Sequence, residues 1–421
     1  MKKLLIVIGI LLIIFCGFIG YDTFFNEKIP VLSVEDEEVE INSLYVYGTY
    51  LNMEGSYNFL DKGELVLYNG EFKEYDLNYI DNNGVGKIFN LSDYINRGIY
   101  LDDIEIGDYY LFLRVEDEEN SSDEEKKYRY YRLTNKTDYE ETTYYTISKE
   151  NKKIIIENDD SYPTMMLKVM ENKDDNIYDI VIDPGHGGMD GGASKNGYKE
   201  TDFTMNIATK LKKKLEEEGF LVKLTYEDGQ LSEDEKLNEY GVNGRAVVPY
   251  EVKAKYLISL HLNSSNSSSV SGIEVYTAKN INYDLAKSLV ENITRETEIG
   301  CSNNKINKVF DGIYSRNFTQ KEIDEAIDEY KNKDLIPYDK TTKSNYYYMI
   351  RETGGIATGA YVDNRNSEII GNPYVLSNVG TEAYLLELGY LSNKDDLNRM
   401  INDMDKYVQG IVISMKLLLN K

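Results

Sequence analysis

The chain has 421 residues, with 47 lysines and arginines against 73 aspartates and glutamates, a formal net charge of -26. That length accommodates two domains plus an appendage, and that charge argues against nucleic acid as a partner and against electrostatic docking on polyanions or anionic lipid. Of its two cysteines, Cys16 falls in an apolar leader, so Cys301 has no partner for a disulfide within the rest of the chain.

Met1-Lys2-Lys3 precedes an almost wholly apolar run, Leu4 to Tyr21. As a helix such a run is about 27 Å long, close to one hydrocarbon core. Residues 1–25 are therefore expected to form a single-pass membrane anchor, the two lysines inside and the bulk of the chain extracellular. The alternative is secretion after cleavage of a signal peptide, but no small-x-small site follows the run. Phe15 is too bulky for a lipoprotein processing site at Cys16.

Residues 26–173 read as an all-β domain. Tyr109, Leu111, Leu113 and Val115 alternate with Tyr110, Phe112 and Arg114, which is a strand period. Further runs cover Val39 to Leu51, Glu64 to Tyr68, Lys127 to Leu133, Tyr144 to Ile156 and Thr164 to Met170. Asn69-Gly70, Asn83-Gly84 and Gly107-Asp108 mark turns between them. The spacing predicts an Ig-like sandwich. The 38 tyrosines of a chain without tryptophan are read as strand fillers rather than sugar platforms.

Residues 174–421 alternate strands with helices, the pattern of an α/β layer fold. A strand at Asp179 to Asp183 precedes a helix with Phe203, Ile207, Leu211 and Leu215 on one face, ending at Gly219. Next come a strand over Phe220 to Thr225, a helical stretch over Gly244 to Lys253, and strands at Tyr256 to His261 and Gly272 to Thr277. A helix carrying Leu285, Leu289 and Ile293 closes at Gly300. Strands at Ile356 to Val362 and Ala383 to Leu388 lead to one last helix after Asn393, with Leu397, Ile401, Met404, Val408 and Ile411 on a face. An insertion at about 310–348 interrupts the alternation. Within it Thr319-Gln-Lys-Glu322 forms a capping box for an acidic helix to about Lys333 that carries Glu322 and Glu325.

The chemistry concentrates at strand ends. Ile180-Val-Ile-Asp-Pro-Gly-His-Gly-Gly188 runs from an apolar strand into a glycine-rich loop that presents His186. The loop lacks the Gly-Lys-Ser/Thr ending and the spacing of a phosphate cradle. His261, the only other histidine, ends Leu257-Ile-Ser-Leu-His-Leu-Asn263 in the same way. A catalytic zinc needs a third protein ligand and an open fourth position. Glu200, just before the first helix, is the best candidate, although a first-turn carboxylate is also favoured there by the helix dipole alone. Glu387, within the apolar strand Tyr384-Leu-Leu-Glu-Leu-Gly389, is the candidate general acid/base, because burial would raise its pKa toward a useful range. A structural salt bridge is the alternative.

These four motifs, in this order, resemble the zinc-dependent N-acetylmuramoyl-L-alanine amidases of the amidase-3 type over about Asp179 to Leu419. The resemblance implies a twisted mixed sheet with helices on both faces, zinc on His186, Glu200 and His261, and Glu387 as the catalytic residue. It implies hydrolysis of the amide between N-acetylmuramic acid and the L-alanine of the stem peptide, with peptidoglycan as the partner. Arg245 resembles a recurrent family arginine, read as structural or as substrate-binding. Some family members occlude the site with an inserted helix that an activator protein removes; the helix bearing Glu322 and Glu325 is the candidate for such a lid here, the alternative being a helix that only widens the substrate groove.

Overall fold

The computed structural model describes residues 34–419 except 48–49, 83, 92–97, 123–124, 136–143, 148–149, 151, 158–163, 174–176, 196, 228–230, 232–243, 279–282, 323, 326–345, 348 and 351–380. The anchor expected over residues 1–25, the strand expected over 356–362 and most of the inserted helix lie outside the described residues. Among those described, no helix is long and apolar enough to cross a membrane.

The N-terminal region is all β, as the strand period requires. Its strands are β1 (Val34–Tyr47), β2 (Tyr50–Tyr57), β3 (Glu64–Tyr68), β4 (Phe72–Tyr75), β5 (Asn78–Asn82), β6 (Gly86–Asn90), β7 (Ile99–Tyr100), β8 (Gly107–Glu116), β9 (Tyr128–Asn135), β10 (Tyr144–Ile147), β11 (Lys152–Glu157) and β12 (Met166–Glu171). Two runs expected as single strands are hairpins: β1 folds back on β2 and β10 on β11, each pair antiparallel. An Ig-like sandwich has two separate sheets; here all twelve strands join in one hydrogen-bonded network. The linkage has a local cause. β1 lies parallel to β9 over Val34 to Ile41 and pairs antiparallel with β2 from Glu40 onward, with an irregularity at Ile41/Ser43, while β8 takes β3, β9 and β12 as partners. The main core includes Val39, Leu51, Phe89, Leu111 and Leu133, and the tyrosines Tyr57, Tyr109 and Tyr131 are buried with it.

The second region is built on a seven-stranded mixed sheet. Its strands are β13 (Ile180–Pro184), β16 (Val222–Leu224), β17 (Tyr256–Asn263), β18 (Glu274–Tyr276), β19 (Lys308–Phe310), β20 (Ile313–Tyr314) and β21 (Glu382–Tyr390); β14 (Ser194–Lys195) and β15 (Tyr198–Lys199) form a small ribbon beside it. The order is β16-β13-β17-β21-β18-β20-β19. The first four run parallel, and β18 turns antiparallel to β21.

Strand alternation decides what each face carries. Ile180, Ile182, Ile258 and Leu260 meet the apolar stripes of α1 (Glu200–Glu217), α3 (Asp284–Thr297), α4 (Lys394–Asn402) and α5 (Met404–Leu419) in the larger core. Val181, Leu257 and Ala383 point the other way, onto Val248 and Val252 around the single-turn helix α2 (Val248–Glu251), Ala246, Ala254 and Met349. Helices thus cover both faces, but among the described residues the layer is thick on one and thin on the other. Two expected helices change. The stretch over 244–253 keeps only one regular turn, and the last helix is broken at Asp403, whose φ of -118° and ψ of 21° end α4. Asn393 caps α4 by accepting from the Asp395 and Asp396 N–H groups.

Candidate metal and catalytic site

The site forms at the carboxyl ends of β13, β17 and β21, where open α/β sheets place their sites, and on the thinly covered face. His261 shares the parity of Leu257, so its ring leaves the helical core; Leu262, next along, returns to it. After Pro184 the backbone takes a left-handed turn at His186, φ 63°. Gly185 allows this crossing: a Cβ there would lie 2.4 Å from the Leu260 carbonyl and 2.5 Å from His261 Cε1. Glu200 is the first residue of α1. It is both a first-turn carboxylate and part of the cluster, since its side chain reaches back over the sheet end.

Three atoms converge. His186 Nε2 and His261 Nδ1 each lie 3.1 Å from Glu200 Oε1, and 3.2 Å from each other. They are the group among the described residues that could hold a metal ion. A triangle of this size lets one ion sit about 2.0–2.2 Å from all three corners, the range for zinc with imidazole and carboxylate ligands. Glu200 is fixed by two backbone donors, the Ala193 N–H to Oε2 and the Leu262 N–H to Oε1, both 2.8 Å.

Hydrogen bonds behind the triangle set each ring's tautomer. His186 Nδ1 is 2.5 Å from Asp190 Oδ2, which assigns the proton to Nδ1 and leaves Nε2 free to ligate. The Ser259 hydroxyl donates to Asp183 Oδ2 at 2.6 Å, so it accepts from His261 Nε2 at 3.1 Å, leaving Nδ1 to ligate. Asp183 is fully buried and receives Arg245 through Nε and Nη2, 2.7 Å each, and the Thr225 hydroxyl at 2.7 Å. Burial opposes the charged form of Asp183, yet Arg245 outweighs it and holds the carboxyl below its usual range.

The charges are interdependent. Burial alone would depress His186, but its bonds and charge interactions with Glu200 and Asp190 push it up to about 9. Burial would raise Glu200, but its bonds and charge interactions with His186 and His261 hold it well below the usual carboxylate range. His261 is lowered, by burial first. Glu387 is raised well above a normal glutamate, by burial first and then by the charges of Glu200 and Glu274. No hydrogen bond reaches its buried Oε2 among the described residues, so the salt-bridge reading of Glu387 finds no cation. It stands directly opposite His261 in the parallel register of β17 and β21.

The expected residues separate into two sets. His186, Glu200, His261 and Glu387 come together. Arg245 lies beneath them, only 4% exposed and engaged with Asp183, so a direct hold on substrate does not fit its placement. Glu322 does not approach the ligand atoms; it accepts from Thr319 at the helix start and pairs with Arg316 at 3.0 Å. Glu325 is exposed, 3.5 Å from Lys321. The capping box is real, while contact of these glutamates with the metal group is not seen. Sequence reasoning missed Asp183, Asp190, Ser259 and Glu274. A signal existed for two of them: an acid ending an apolar strand, and a serine two residues before a histidine on the same face.

Residues 180–416 match the Amidase_3 family, N-acetylmuramoyl-L-alanine amidase. The chain is 34% identical over 121 residues to the probable cell wall amidase LytH of Staphylococcus saprophyticus, covering 28% of this chain and 37% of that protein. Against the probable cell wall amidase LytH of Staphylococcus aureus it is 37% identical over 100 residues, 23% of this chain and 30% of that one. The chain thus spans about a third of the length of these curated relatives. The catalytic domain of CwlV, an N-acetylmuramoyl-L-alanine amidase from Bacillus (Paenibacillus) polymyxa, is 21% identical at a TM-score of 0.37, covering 58% of this chain and 99% of that one.

Proposed function

Because the chain belongs to the Amidase_3 family of N-acetylmuramoyl-L-alanine amidases, we propose that it is a zinc-dependent peptidoglycan hydrolase. It cuts the amide between the lactyl group of N-acetylmuramic acid and the L-alanine of the stem peptide. The observation that carries this reading is the His186, Glu200, His261 triangle with the Glu387 carboxyl one strand away, its Oε2 without a hydrogen bond among the described residues. Zinc, when bound, would polarise the amide carbonyl and make water a nucleophile near neutral pH. His186, Glu200 and His261 would hold it, in tautomers set by Asp190 and Ser259.

Glu387 carries the proton. Its carboxylate takes one from the attacking water as the C–O bond forms, and returns it to the alanine nitrogen as the C–N bond breaks. The products are a lactyl carboxylate and a stem peptide with a free amino terminus. A buried carboxyl whose pKa is raised by its surroundings suits both halves of that transfer. Asp183 and Arg245 act from below, fixing Ser259 and through it His261. The apolar run Leu4 to Tyr21 would hold the protein at the membrane with its catalytic region in the cell envelope, wherever processing leaves it attached.

The test is mass spectrometry of purified peptidoglycan fragments incubated with the zinc-loaded protein. Stem peptides beginning with free L-alanine are expected, and none with Glu387→Ala. Cleavage at another bond would move the enzyme to stem-peptide hydrolysis. No cleavage at any bond would sink the catalytic reading.

A further inference from the structure

Glu274 is fully buried on β18, directly opposite Glu387 in the antiparallel register of β18 and β21. Residues so paired have Cβ atoms about 4.5–5.5 Å apart, and like charges there repel. A buried carboxylate beside a second one calls for a reason.

Its surroundings supply one. Glu274 Oε1 accepts from the Ser302 hydroxyl at 2.6 Å and the Tyr390 hydroxyl at 2.5 Å; Oε2 accepts from the Tyr276 hydroxyl at 2.7 Å and the Asn263 amide at 3.2 Å. An ionised carboxylate offers about four lone-pair sites, and four donors fill them. All four donors are neutral, so the negative charge of Glu274 is held in place without being cancelled. Saturation also means that Glu274 cannot accept a hydrogen bond from the Glu387 carboxyl, so the two cannot close into a shared-proton pair. Among the described residues no hydrogen bond reaches Glu387 Oε2, and the remaining favourable direction is away from Glu274, toward His261 on its other side.

We propose that Glu274 is a positioning residue of the catalytic centre: an acceptor-saturated carboxylate that turns the free oxygen of Glu387 toward the metal ligands. This rests on the reading of Glu387 as the proton carrier. Tyr390 and Tyr276 belong to the device, since each removes one acceptor site from Glu274.

The experiment compares zinc-loaded wild type, Glu274→Gln, Glu387→Gln and the double variant on a muropeptide, reading kcat, KM and bound zinc, with crystal structures of the first two. Glu274→Gln is expected to lower kcat at least ten-fold with KM and zinc content unchanged, and to show the Glu387 carboxyl swung toward position 274. The double variant is expected to be no slower than Glu387→Gln alone. Wild-type kcat in Glu274→Gln, an unmoved Glu387, or losses that multiply in the double variant would overturn the proposal. Should Glu274→Gln not fold, Tyr390→Phe frees one acceptor site while keeping the carboxylate. It is then expected to lower kcat at constant KM, and an unchanged kcat would equally count against the idea. Full activity in Glu387→Gln would instead overturn the reading of Glu387, whatever Glu274 does.

Discussion

His261 on β17 and Glu387 on β21 face each other in parallel register, so one row of the sheet carries both a proposed metal ligand and a buried carboxyl whose Oε2 has no hydrogen bond among the described residues. The two should fail differently when substituted. Glu387→Gln is expected to keep its zinc and lose about 10²- to 10⁴-fold in kcat, the usual worth of a positioned acid/base. His261→Ala is expected to lose the zinc itself. Metal analysis beside a hydrolysis assay separates the two; zinc loss in Glu387→Gln would mean that it is a ligand.

Arg245 and Asp183 form a buried two-point ion pair. Removing one partner leaves the other charged and buried, which costs about 3–5 kcal/mol. Arg245→Ala should therefore show a marked drop in denaturant midpoint. Were it stable but weak in KM, the arginine would be contacting substrate after all.

Ser259 transmits that anchoring to His261. Ser259→Ala removes the acceptor for His261 Nε2 and one donor to Asp183. Losing such an outer partner typically costs about 10–100-fold in metal affinity. Competition with a chelator measures it, and wild-type affinity would show that the ring is held by packing alone.

In the metal-free protein His186 is pushed up to about 9 from an ordinary 6.5. A raised value means that the protonated form stabilises the fold. That contribution is complete below about pH 6.5 and vanishes as pH rises through about 9. Zinc needs the neutral ring, so the zinc-loaded protein should lack this loss, and zinc uptake near pH 7.5 should release a proton. Melting curves with zinc and with chelator at pH 6 and pH 9.5 provide the check. Parallel pH dependence in the two would contradict the assignment.

Gly185 passes between Leu260 and His261 with no room for a methyl group. Gly185→Ala must displace His261, so zinc affinity should fall along with stability. A variant that binds zinc normally would show that the loop can shift without cost.

The residues proposed to carry the chemistry were legible in the sequence for a physical reason. A chain with two histidines, each ending an apolar strand before a polar loop, leaves few candidate ligands. A glutamate inside an apolar strand is costly enough to stand out. The α1 stripe of Phe203, Ile207, Leu211 and Leu215 was equally plain, because periodicity is a local property. What local pattern does not contain is register and strand order. Only the folded sheet puts Glu274 opposite Glu387, seats Arg245 under Asp183 instead of in the site, and holds Glu322 on Arg316 away from the ligands. Nor does alternation within each strand say that β1 will change partners and join twelve strands into one network. The sequence by itself determined which side chains could bind a metal and move a proton. Tertiary structure decided which carboxylates face one another and which are neutralised, because those relations depend on distances between strands far apart in the chain.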